Sequence, residues 1–239
     1  MKGIILAAGK GMRLRPITKV VGKHLVPIYN KPLIYYPIEL LKECGIKNIL
    51  IILNEESLPI TRDLLKEGEE LGVKLSYQTQ TEQKGMAHAL ALASDFSAGD
   101  TIAVTVCDNL FGDIPDVSNF KGGARLFFKE TPDANKFTVG EFSKDGRLIA
   151  LEEKPEKPKS NYGLAGFYLY DKNIFEYIKD LKPSIRGELE LAEANNKYIK
   201  EGKMEHRILD GFWIDTGSFE SLFKAAEYIR EKELSKRIS

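Results

Sequence analysis

The chain opens with Lys2-Gly3-Ile4-Ile5-Leu6-Ala7, and this run continues directly into Ala8-Gly9-Lys10-Gly11-Met12-Arg13-Leu14-Arg15-Pro16. The first run is short and apolar, which is typical of a buried strand. The second run is rich in small residues and carries Lys and Arg side chains. Glycines let backbone N–H groups approach an anion, and the basic side chains neutralise its charge. This stretch therefore predicts a strand that opens into a loop able to hold a polyphosphate group.

Two better-known glycine loops do not fit this stretch. A dinucleotide-binding loop needs a third glycine and an acidic residue about 20 positions further on. Here Leu14 stands where that glycine would fall, and Glu55 and Glu56, the acids after the second predicted strand, come much too late. A Walker loop ends in Gly-Lys-Ser/Thr, whereas this loop has Gly11-Met12-Arg13. The loop alone leaves open a glycine-rich turn without phosphate chemistry, since such turns are common in α/β proteins.

The order of the predicted elements indicates an α/β fold. Before about residue 122, short apolar runs alternate with amphipathic stretches, which predicts βαβ units and a mostly parallel sheet. The predicted strands of this part are 2–7, 48–53, 74–78 and 101–107, and its predicted helices are 33–44, 58–71 and 86–95. Gly45 and Gly72 follow two of these helices, as glycines at helix ends commonly do.

The pattern changes after about residue 122. Closely spaced strands are predicted over 124–129, 137–142, 148–153 and 164–170, with Lys144-Asp145-Gly146-Arg147 as a hairpin turn. These strands indicate a mixed extension of the same sheet. Helices are predicted over 173–181, 188–201 and 218–236. Because no repeat or low-complexity linker separates the two parts, we expect one domain over residues 1–239.

Composition limits the possible partners. The 239 residues are 43% hydrophobic, and 35 basic residues balance 35 acidic ones. Nucleic-acid-binding proteins usually carry a basic excess, so nucleic acid is not expected as the main partner. The apolar run at 49–53 is too short to cross a bilayer, and a strand beginning at residue 2 leaves no room for a signal peptide. We therefore expect a cytoplasmic protein with no membrane partner.

The cysteines and histidines give no sign of a disulfide framework or a zinc site. Cys44 falls in a predicted helix and Cys107 at a strand end, so no disulfide is implied. The histidines are scattered without zinc-ligand spacing, which favours packing or surface roles. They are His24, His88 and His206.

Six sequence blocks, in order along nearly the whole chain, resemble a known family. They are Ala7-Ala8-Gly9-x-Gly11-x-Arg13-Leu14-x-Pro16-x-Thr18 with residues 23–27 and 31–36, then residues 80–89, Cys107-Asp108-Asn109, Glu152-Glu153-Lys154-Pro155, residues 184–190, and Trp213-Ile214-Asp215-Thr216-Gly217. Together they resemble the sugar-1-phosphate nucleotidyltransferases, and most closely the glucose-1-phosphate thymidylyltransferases. The chain is similar to the catalytic core of the shorter family members.

The resemblance implies the nucleotide-diphospho-sugar transferase fold. This fold has a Rossmann-like, mostly parallel central sheet with helices on both faces and a mixed-strand, sugar-binding extension. We expect a nucleotide-binding half over about residues 1–122 and a sugar-phosphate-binding half over about residues 123–217. A C-terminal helix would follow over residues 218–239. The expected assembly is a monomer or a small homo-oligomer.

The resemblance also implies a reaction. A sugar-1-phosphate oxygen attacks the α-phosphorus of a nucleoside triphosphate, and pyrophosphate leaves. The expected substrates are dTTP or UTP and glucose-1-phosphate or a related hexose-1-phosphate. Because the attacking oxygen is already anionic, positioning, metal ions and cationic side chains should supply most of the catalysis. The implied metal is Mg²⁺, held by Asp108 and Asp215, since Mg²⁺ takes few protein carboxylates and completes its shell with phosphate oxygens and water.

The resemblance assigns the remaining site residues. The expected catalytic residues are Arg13 and Lys23, beside the reacting phosphates, together with Asp108. The expected nucleotide-binding residues are Leu6, Ala8, Gly9, Gly11, Gln80, Gly85 and Asp108, of which Gln80 and Gly85 contact the pyrimidine base. The expected sugar-phosphate-binding residues are Asn109, Gly140, Glu153, Lys154 and Arg186.

Ordinary structural roles remain open for these positions. Asp108 could be a turn residue at a strand end and Asp215 a helix cap. Arg and Lys side chains are most often solvated surface charges, which applies to Arg13 and Lys23. Gln80 and Gly85 could mark a strand end and a helix start, and Arg186 could pair with Glu188 or Glu190 on the surface.

Four positions depart from the family pattern. Met12 replaces a usual Thr, His88 a usual Gln, Cys107 a usual Gly and Val139 a frequent Tyr. None of these changes touches the expected metal pair or the main cations. The change at Val139 leaves the identity of the sugar open.

Two other functions remain possible. One is a uridylyltransferase, or a nucleotidyltransferase for another hexose-1-phosphate, since the thymine methyl group is worth only ~1–3 kcal/mol in a hydrophobic pocket. The other is a non-catalytic subunit that senses nucleotide sugars. A pure binding protein has no need of a metal pair, so the presence of Asp108 and Asp215 with both cations favours the enzyme.

Overall fold

The computed structural model describes residues 1–238, so residue 239, the last position of the predicted C-terminal helix, lies outside the described residues. The strands are β1 Lys2–Leu6, β2 Pro27–Ile28, β3 Lys31–Pro32, β4 Asn48–Leu53, β5 Lys74–Thr79, β6 Ile102–Val106, β7 Asn109–Phe111, β8 Ala124–Glu130, β9 Thr138–Phe142, β10 Leu148–Glu153, β11 Tyr162–Tyr170, β12 Met204–Ile208 and β13 Trp213–Asp215. The helices are α1 Tyr35–Glu43, α2 Leu58–Leu65, α3 Met86–Ala91, α4 Ser94–Ser97, α5 Asn173–Lys179, α6 Leu191–Lys200 and α7 Phe219–Ile238.

One large sheet organises the described residues. β6, β1, β4 and β5 lie side by side in this order, and all three pairings are parallel. Parallel neighbours need crossover connections, which are supplied here by α1, α2 and the α3–α4 segment. β11 then joins β6 in the antiparallel direction, and β8, β9, β10 and β12 extend the sheet beyond it. The predicted α/β fold with a mixed extension is confirmed.

Helices cover both faces of the sheet because its central strands are apolar on both sides. In β1, Ile4 and Leu6 belong to the core beneath α3, α5 and α6, whereas Ile5 belongs to the core beneath α1, α2 and α7. Ile4 and Ile5 are both fully buried. Each such side chain contributes about 1.5–3 kcal/mol relative to leaving it exposed. A binding site can therefore form at the ends of these strands without disturbing either core.

The second and third helices end earlier than the sequence pattern predicts. α2 stops at Leu65 because the backbone of Lys66 leaves the helical conformation, with φ 48° and ψ −133°. Gly72, predicted to follow that helix directly, instead closes a separate 3-10 turn over Glu69–Leu71. The helix predicted over 86–95 is divided into α3 and α4. Gly45 follows the end of α1, as predicted.

The sixth helix begins later than predicted. α6 starts at Leu191 rather than at residue 188, because Glu190 is extended, with φ −91° and ψ 128°. The preceding Leu189 is held by the start of α3, since its N–H donates to the Lys84 carbonyl (2.8 Å) and its carbonyl accepts from the Ala87 N–H (3.2 Å). This non-local pairing outcompetes the local helical preference.

Several short strands carry no usable signal in the sequence. β2, β3, β7, β12 and β13 are absent from the predicted elements, and β7 and β13 are three residues each. β7 and β13 pair with each other across about half of the chain. The predicted hairpin turn is present, because the Ser143 N–H donates to the Arg147 carbonyl at 2.8 Å.

The longest helix closes the described chain. α7 has 20 residues and joins the core beneath α1 through Ala225 and Ile229. Across residues 1–238, no helix combines the length and the apolar character that crossing a membrane requires.

Candidate active site

A cavity of about 280 Å³, here called the first cavity, lies at the carboxyl ends of β1, β5 and β6. Ligands of open parallel sheets bind at this edge. Its lining residues are Leu6, Ala7, Ala8, Gly9, Lys23, His24, Leu33, Gln80, Gln83, Gly85, Met86, Ala89, Val106, Cys107, Asp108 and Glu188. Every residue that the sequence predicts for nucleotide binding is among them, except Gly11.

Gly11 lies behind the wall of this cavity. Its carbonyl accepts a hydrogen bond from the Thr18 hydroxyl at 2.7 Å, and its φ is +60°. A Cβ atom at this position would come within 3.0 Å of the Lys23 Cβ. Glycine thus allows the loop to lie directly against Lys23, so Gly11 acts on the cavity through the position of that lysine.

A second cavity of about 210 Å³ lies on the other side of Asp108. Its lining residues are Arg13, Met86, Val106, Asp108, Asn109, Lys136, Phe137, Thr138, Glu153, Lys154, Leu164, Gly166, Tyr168 and Asp215. Met86, Val106 and Asp108 line both cavities. Two compartments that meet at one carboxylate can bring two bound molecules into contact, which is the main requirement of a group-transfer reaction.

The pairing of β7 with β13 brings the two predicted metal-binding carboxylates together. In the register of this ribbon, Asp215 lies opposite Asn109, the residue directly after Asp108. Thr216 reinforces the place where the segments of Asp108 and Asp215 meet, here called the junction. Its backbone N–H and its hydroxyl both donate to the Asp108 carbonyl, at 2.7 and 2.9 Å. Asp108 lies in the two-residue connection between β6 and β7. The ribbon is therefore what makes two distant residues neighbours.

Two cations neutralise these carboxylates. Lys23 Nζ forms an ion pair with Asp108 Oδ2, and Arg13 Nη2 lies 3.4 Å from Asp215 Oδ1. Burial alone would raise the pKa of Asp108, but the Lys23 charge and hydrogen bonds from Lys23 and Asn109 lower it overall. The pKa of Asp215 is raised by burial and then by the negative charge of Asp108. The opposite shifts indicate two carboxyl groups that share one electrostatic environment.

This carboxylate pair fits a hard divalent cation. Within residues 1–238, no cluster of three or more His, Cys, Asp or Glu side chains forms a self-sufficient metal site. A pair of carboxylates is nevertheless the donor set that Mg²⁺ uses when phosphate oxygens and water complete its shell. In this structure Lys23 and Arg13 occupy oxygens of the pair, so a bound cation would compete with them.

Gln80 and Gly85 form one end of the first cavity. Gln80 is 6% exposed, and its side-chain nitrogen contacts the Gly85 carbonyl (3.4 Å) and His88 Nδ1 (3.0 Å). Gly85 has a φ of +96°, and a Cβ there would lie 2.7 Å from the Leu189 carbonyl oxygen. Glycine meets both conditions, so Gly85 fits the start of α3. Its predicted contact with a base stays a prediction.

Glu153 is the most connected acid of the second cavity. Its carboxylate accepts a hydrogen bond from the Thr138 hydroxyl and pairs with Arg186 Nη1 at 3.0 Å and with Lys154 Nζ at 3.7 Å. Lys154 itself has a φ of 45°, which is uncommon for a lysine and is typical of functional sites. These contacts place one acid between two cations, an arrangement suited to a ligand with both hydroxyl and phosphate groups.

Arg186 forms ion pairs with more partners than the sequence suggested. Besides Glu153, it lies 3.4 Å from Glu188 and 3.5 Å from Glu190. Both pairs left open by the sequence are therefore present alongside the pair with Glu153, but Glu190 is buried rather than on the surface. Because Glu188 lines the first cavity, Arg186 links the rims of both.

Asn109 is oriented by the only tryptophan of the chain. Trp213 Nε1 donates to Asn109 Oδ1 at 2.8 Å and to the Ala165 carbonyl at 3.0 Å, while Asn109 Nδ2 donates to Asp108 Oδ1 at 3.1 Å. Ala165 lies where the pairing of β11 with β8 shifts register. This chain of hydrogen bonds connects the wall of the second cavity to the carboxylate pair.

Gly140 does not line either cavity in the described residues. It lies in β9, two residues after Thr138, and a Cβ there would meet the rings of Phe142 (2.7 Å) and Phe128 (3.0 Å). Its carbonyl accepts a hydrogen bond from the Ser160 hydroxyl at 2.6 Å. The predicted contact of Gly140 with a sugar ring stays a prediction.

Sequence reasoning assigned no site role to several polar residues that line the cavities, including Gln83, Lys136, Thr138 and Glu188. Thr138 could have been found from the predicted hairpin, because the register of that hairpin sets it opposite Glu153. Gln83 donates to the Ala8 carbonyl at 2.7 Å across 75 positions, and no local pattern predicts such a contact.

Comparison with known proteins agrees with this geometry. A family described as Nucleotidyl transferase matches residues 2–232. The chain is 40% identical to a glucose-1-phosphate thymidylyltransferase of Mycolicibacterium smegmatis over 98% of this chain and 84% of the relative. It is also 40% identical to the Neisseria meningitidis protein of the same name, over 96% of this chain and 83% of the relative.

Solved structures show the same similarity. A Bacillus anthracis protein, described as a glucose-1-phosphate thymidylyltransferase and solved with a sucrose, is 42% identical, with a TM-score of 0.91 and coverage of 96% of this chain and 95% of that one. A UDP-glucose pyrophosphorylase in complex with UDP-glucose shares the fold at 24% identity, with a TM-score of 0.84 over 97% of this chain and 98% of that one. The chain therefore belongs to the nucleotidyl transferase family, as the six blocks of its sequence predicted.

Proposed function

We propose that this protein transfers a nucleotidyl group from dTTP to glucose-1-phosphate, giving dTDP-glucose and pyrophosphate in a Mg²⁺-dependent reaction. UTP is the second candidate donor, with UDP-glucose as its product. The observation that carries the proposal is the meeting of the two cavities at Asp108, beside Asp215 and two cations. The names of the relatives support the choice of glucose-1-phosphate and of a thymine nucleotide.

The first cavity suits the nucleoside triphosphate. Leu6, Ala8 and Gly9 would lie along the nucleotide, while Gln80 and Gly85 face its base at the far end. The amide of Gln80 carries a donor and an acceptor. Its nitrogen already contacts His88 and Gly85, which leaves its oxygen to interact with a pyrimidine edge. Arg13 and Lys23 stand at the opposite end, where the phosphates would enter the junction.

The second cavity suits the sugar phosphate. Glu153 is placed to accept hydrogen bonds from sugar hydroxyl groups, and Lys154 and Arg186 lie beside it as candidate partners of the phosphate. Asn109 faces the same space from the ribbon. We assign the nucleotide-binding half to residues 1–122 and the sugar-phosphate half to residues 123–217, although each cavity also draws lining residues from the other half.

The protein's contribution to catalysis would be positioning and charge compensation. Asp108 and Asp215 would hold Mg²⁺, which when bound supplies charge neutralisation and a template for the phosphate oxygens. Lys23 would then be released from Asp108 to face the α-phosphate, and Arg13 would neutralise the departing pyrophosphate. No general base is required, because the attacking phosphate oxygen carries a negative charge near neutral pH.

Pyrophosphate release tests the proposal directly. The purified protein is incubated with Mg²⁺ and dTTP, UTP, CTP, ATP or GTP, each paired with several hexose-1-phosphates. We expect release with dTTP or UTP and glucose-1-phosphate, and its loss on addition of EDTA. Asp108→Asn should lower kcat/KM at least about a hundredfold, because the pair loses one of its two charges. Asp63→Asn, an exposed change in α2, is the matched control and should keep full activity.

Two results would redirect the assignment. A preference for another sugar phosphate would keep the reaction class and change the substrate, which the departure at Val139 leaves open. Absence of release with every pair, in a folded protein that still binds a nucleotide sugar, would support the non-catalytic sensing role. Substantial activity in Asp108→Asn would remove Asp108 from the metal site.

A further inference from the structure

The side-chain amide of Gln80 is held by two protein groups. Its nitrogen lies 3.0 Å from His88 Nδ1 and 3.4 Å from the Gly85 carbonyl oxygen. An uncharged amide nitrogen has two hydrogens to donate, so these two contacts account for both. The Gln80 oxygen is then the atom left to interact with whatever enters the first cavity.

The Gly85 carbonyl decides which way the amide points. A carbonyl oxygen only accepts hydrogen bonds, so the nitrogen of Gln80, and not its oxygen, must face it. The same nitrogen cannot accept a hydrogen bond from His88. His88 Nδ1 must therefore be the acceptor, which means that the ring proton of neutral His88 is on Nε2.

Gly85 sets the direction of the amide, and His88 supplies the shorter contact that holds the amide in that direction. The contact of His88 with Gln80 is 0.4 Å shorter than that of Gly85, and 3.4 Å is long for a hydrogen bond of this type. His88 lies in α3, whose neighbouring residues Ala87 and Ala89 are buried, so the position of the ring along the helix is set by the core. His88 itself does not line the cavity, and it reaches the ligand only through Gln80.

We propose that His88 is a positioning residue for base selection: it holds the Gln80 amide with the oxygen toward the base, so that the site favours bases with an N3–H donor. Thymine and uracil carry this hydrogen, whereas cytosine has an unprotonated N3. A fixed acceptor opposite N3 therefore gains a hydrogen bond with the first two bases and faces a lone pair with the third. The inference rests on the proposed nucleotide site and concerns how that site selects its base.

The matched pair of probes is dUTP and dCTP, because they share the sugar and phosphates and differ only at N3 and C4. Their dissociation constants, and kcat/KM with glucose-1-phosphate, are measured for the wild-type protein, His88→Leu and His88→Gln. We expect the wild-type protein to prefer dUTP. In His88→Leu the preference should fall roughly five- to tenfold, as expected for the loss of one well-placed hydrogen bond. His88→Gln offers a new acceptor and should restore most of it.

Two further readouts separate positioning from a general structural effect. The KM for glucose-1-phosphate should stay within about twofold in all three proteins, because His88 touches nothing in the second cavity. In a Gln80→Ala background, His88→Leu should cause no further change in the ratio of dUTP to dCTP, since the residue it positions is gone. Far-ultraviolet circular dichroism checks that every variant is folded.

The outcomes distinguish this inference from the proposed function. If the wild-type protein prefers dUTP and His88→Leu retains the full preference, His88 does not set the orientation and the inference is wrong. A failure of His88→Gln to restore the preference lost in His88→Leu would also overturn it. Because dissociation constants are measured as well, a wild-type protein without turnover still gives a decisive ratio, and equal binding of dUTP and dCTP counts against the inference.

Discussion

His24 follows Lys23 directly, and its imidazole is buried beside the first cavity. The side chain is 1% exposed, Nε2 lies 2.8 Å from the Thr61 hydroxyl, and Nδ1 is buried without a hydrogen-bond partner within the described residues. Burial lowers the pKa of His24 to about 4. The residue therefore stays neutral near physiological pH, and its role is one of packing, in line with the scattered placement of the histidines in the sequence.

This burial predicts a pH-dependent stability. In the unfolded chain the pKa of His24 is near 6.5. Between pH 6.5 and 4, His24 is therefore protonated in the unfolded state and neutral in the folded state. Stability should be fully present above pH 6.5 and decline as the pH falls, by up to about 3 kcal/mol near pH 4. Urea unfolding at several pH values, compared between the wild-type protein and His24→Gln, measures this.

His24→Gln is the informative variant because glutamine can keep the hydrogen bond to Thr61 and cannot titrate. The difference in unfolding free energy between the two proteins should narrow as the pH falls, since only the wild-type protein loses the His24 contribution. The same pH dependence in both proteins would show that His24 is not the group responsible.

The β7–β13 ribbon is the element on which the site depends. It joins three contacts that hold the junction: the register of Asp215 with Asn109, the bonds from Thr216 to Asp108, and the indole of Trp213. Each strand is too short to be stable alone, and the ribbon is held by its contact with the sheet. Trp213 supplies part of that contact by donating to β11 at Ala165.

Trp213→Phe should loosen this ribbon, because phenylalanine keeps an aromatic ring against Phe137 but loses the N–H donor and part of the ring volume of the indole. We expect kcat/KM to fall roughly tenfold, as for other residues that orient the side chains of a site without contacting the ligand. The KM for glucose-1-phosphate should rise, while the dissociation constant of dTTP stays within about twofold. Stability should fall by about 1–3 kcal/mol, since Asn109 and Ala165 each lose a donor.

Tyr36→Phe is the matched control for this variant. It removes one hydrogen bond, from the Tyr36 hydroxyl to the Ile28 carbonyl (2.6 Å), and neither residue lines the first or the second cavity. It should lower stability while leaving both substrate constants unchanged. If Trp213→Phe behaved in the same way, the ribbon would be a structural support only.

The whole molecule builds each cavity from both of its halves. Glu188, from the segment between α5 and α6, lines the first cavity, whereas Arg13, from the first loop, lines the second. That segment is fastened to the start of α3 through Leu189 and to Glu153 through Arg186. Arg186 therefore connects the two cavities, so that a ligand bound in one cavity can affect binding in the other.

Arg186→Ala tests this connection. If Arg186 binds the sugar phosphate as proposed, losing its guanidinium should raise the KM for glucose-1-phosphate roughly ten- to hundredfold, with a smaller effect on dTTP binding. Arg147→Ala is the control, since Arg147 is exposed in the 144–147 hairpin and pairs with Asp145 alone among the described residues. Unchanged kinetics in Arg186→Ala would mean that its three carboxylate pairs serve only to hold the segment.

The local pattern of the sequence was enough for the large elements. β1, β4 and β10 and the hairpin after β9 match their predictions closely, because runs of apolar residues and turn residues act over a few neighbouring positions. The predicted end of α2 was wrong because the backbone at Lys66 leaves the helical conformation. The predicted start of α6 was wrong because the contacts of Leu189 with Lys84 and Ala87 competed with helical preference. The site residues were reached through the family blocks, and by themselves their patterns left structural roles open.

What the sequence determined alone is the α/β order of the elements, the apolar faces of the sheet and the glycine-rich loop after β1, all of which depend on residues close to one another in the chain. The meeting of Asp108 with Asp215, the pairing of Arg186 with Glu153 and the orientation of Gln80 by His88 and Gly85 came from the folded molecule. The first two join residues far apart, and a contact of that kind forms only when the whole core places its ends together. The third joins near neighbours, but it depends on the backbone turn at Gly85, which the distant Leu189 holds in place.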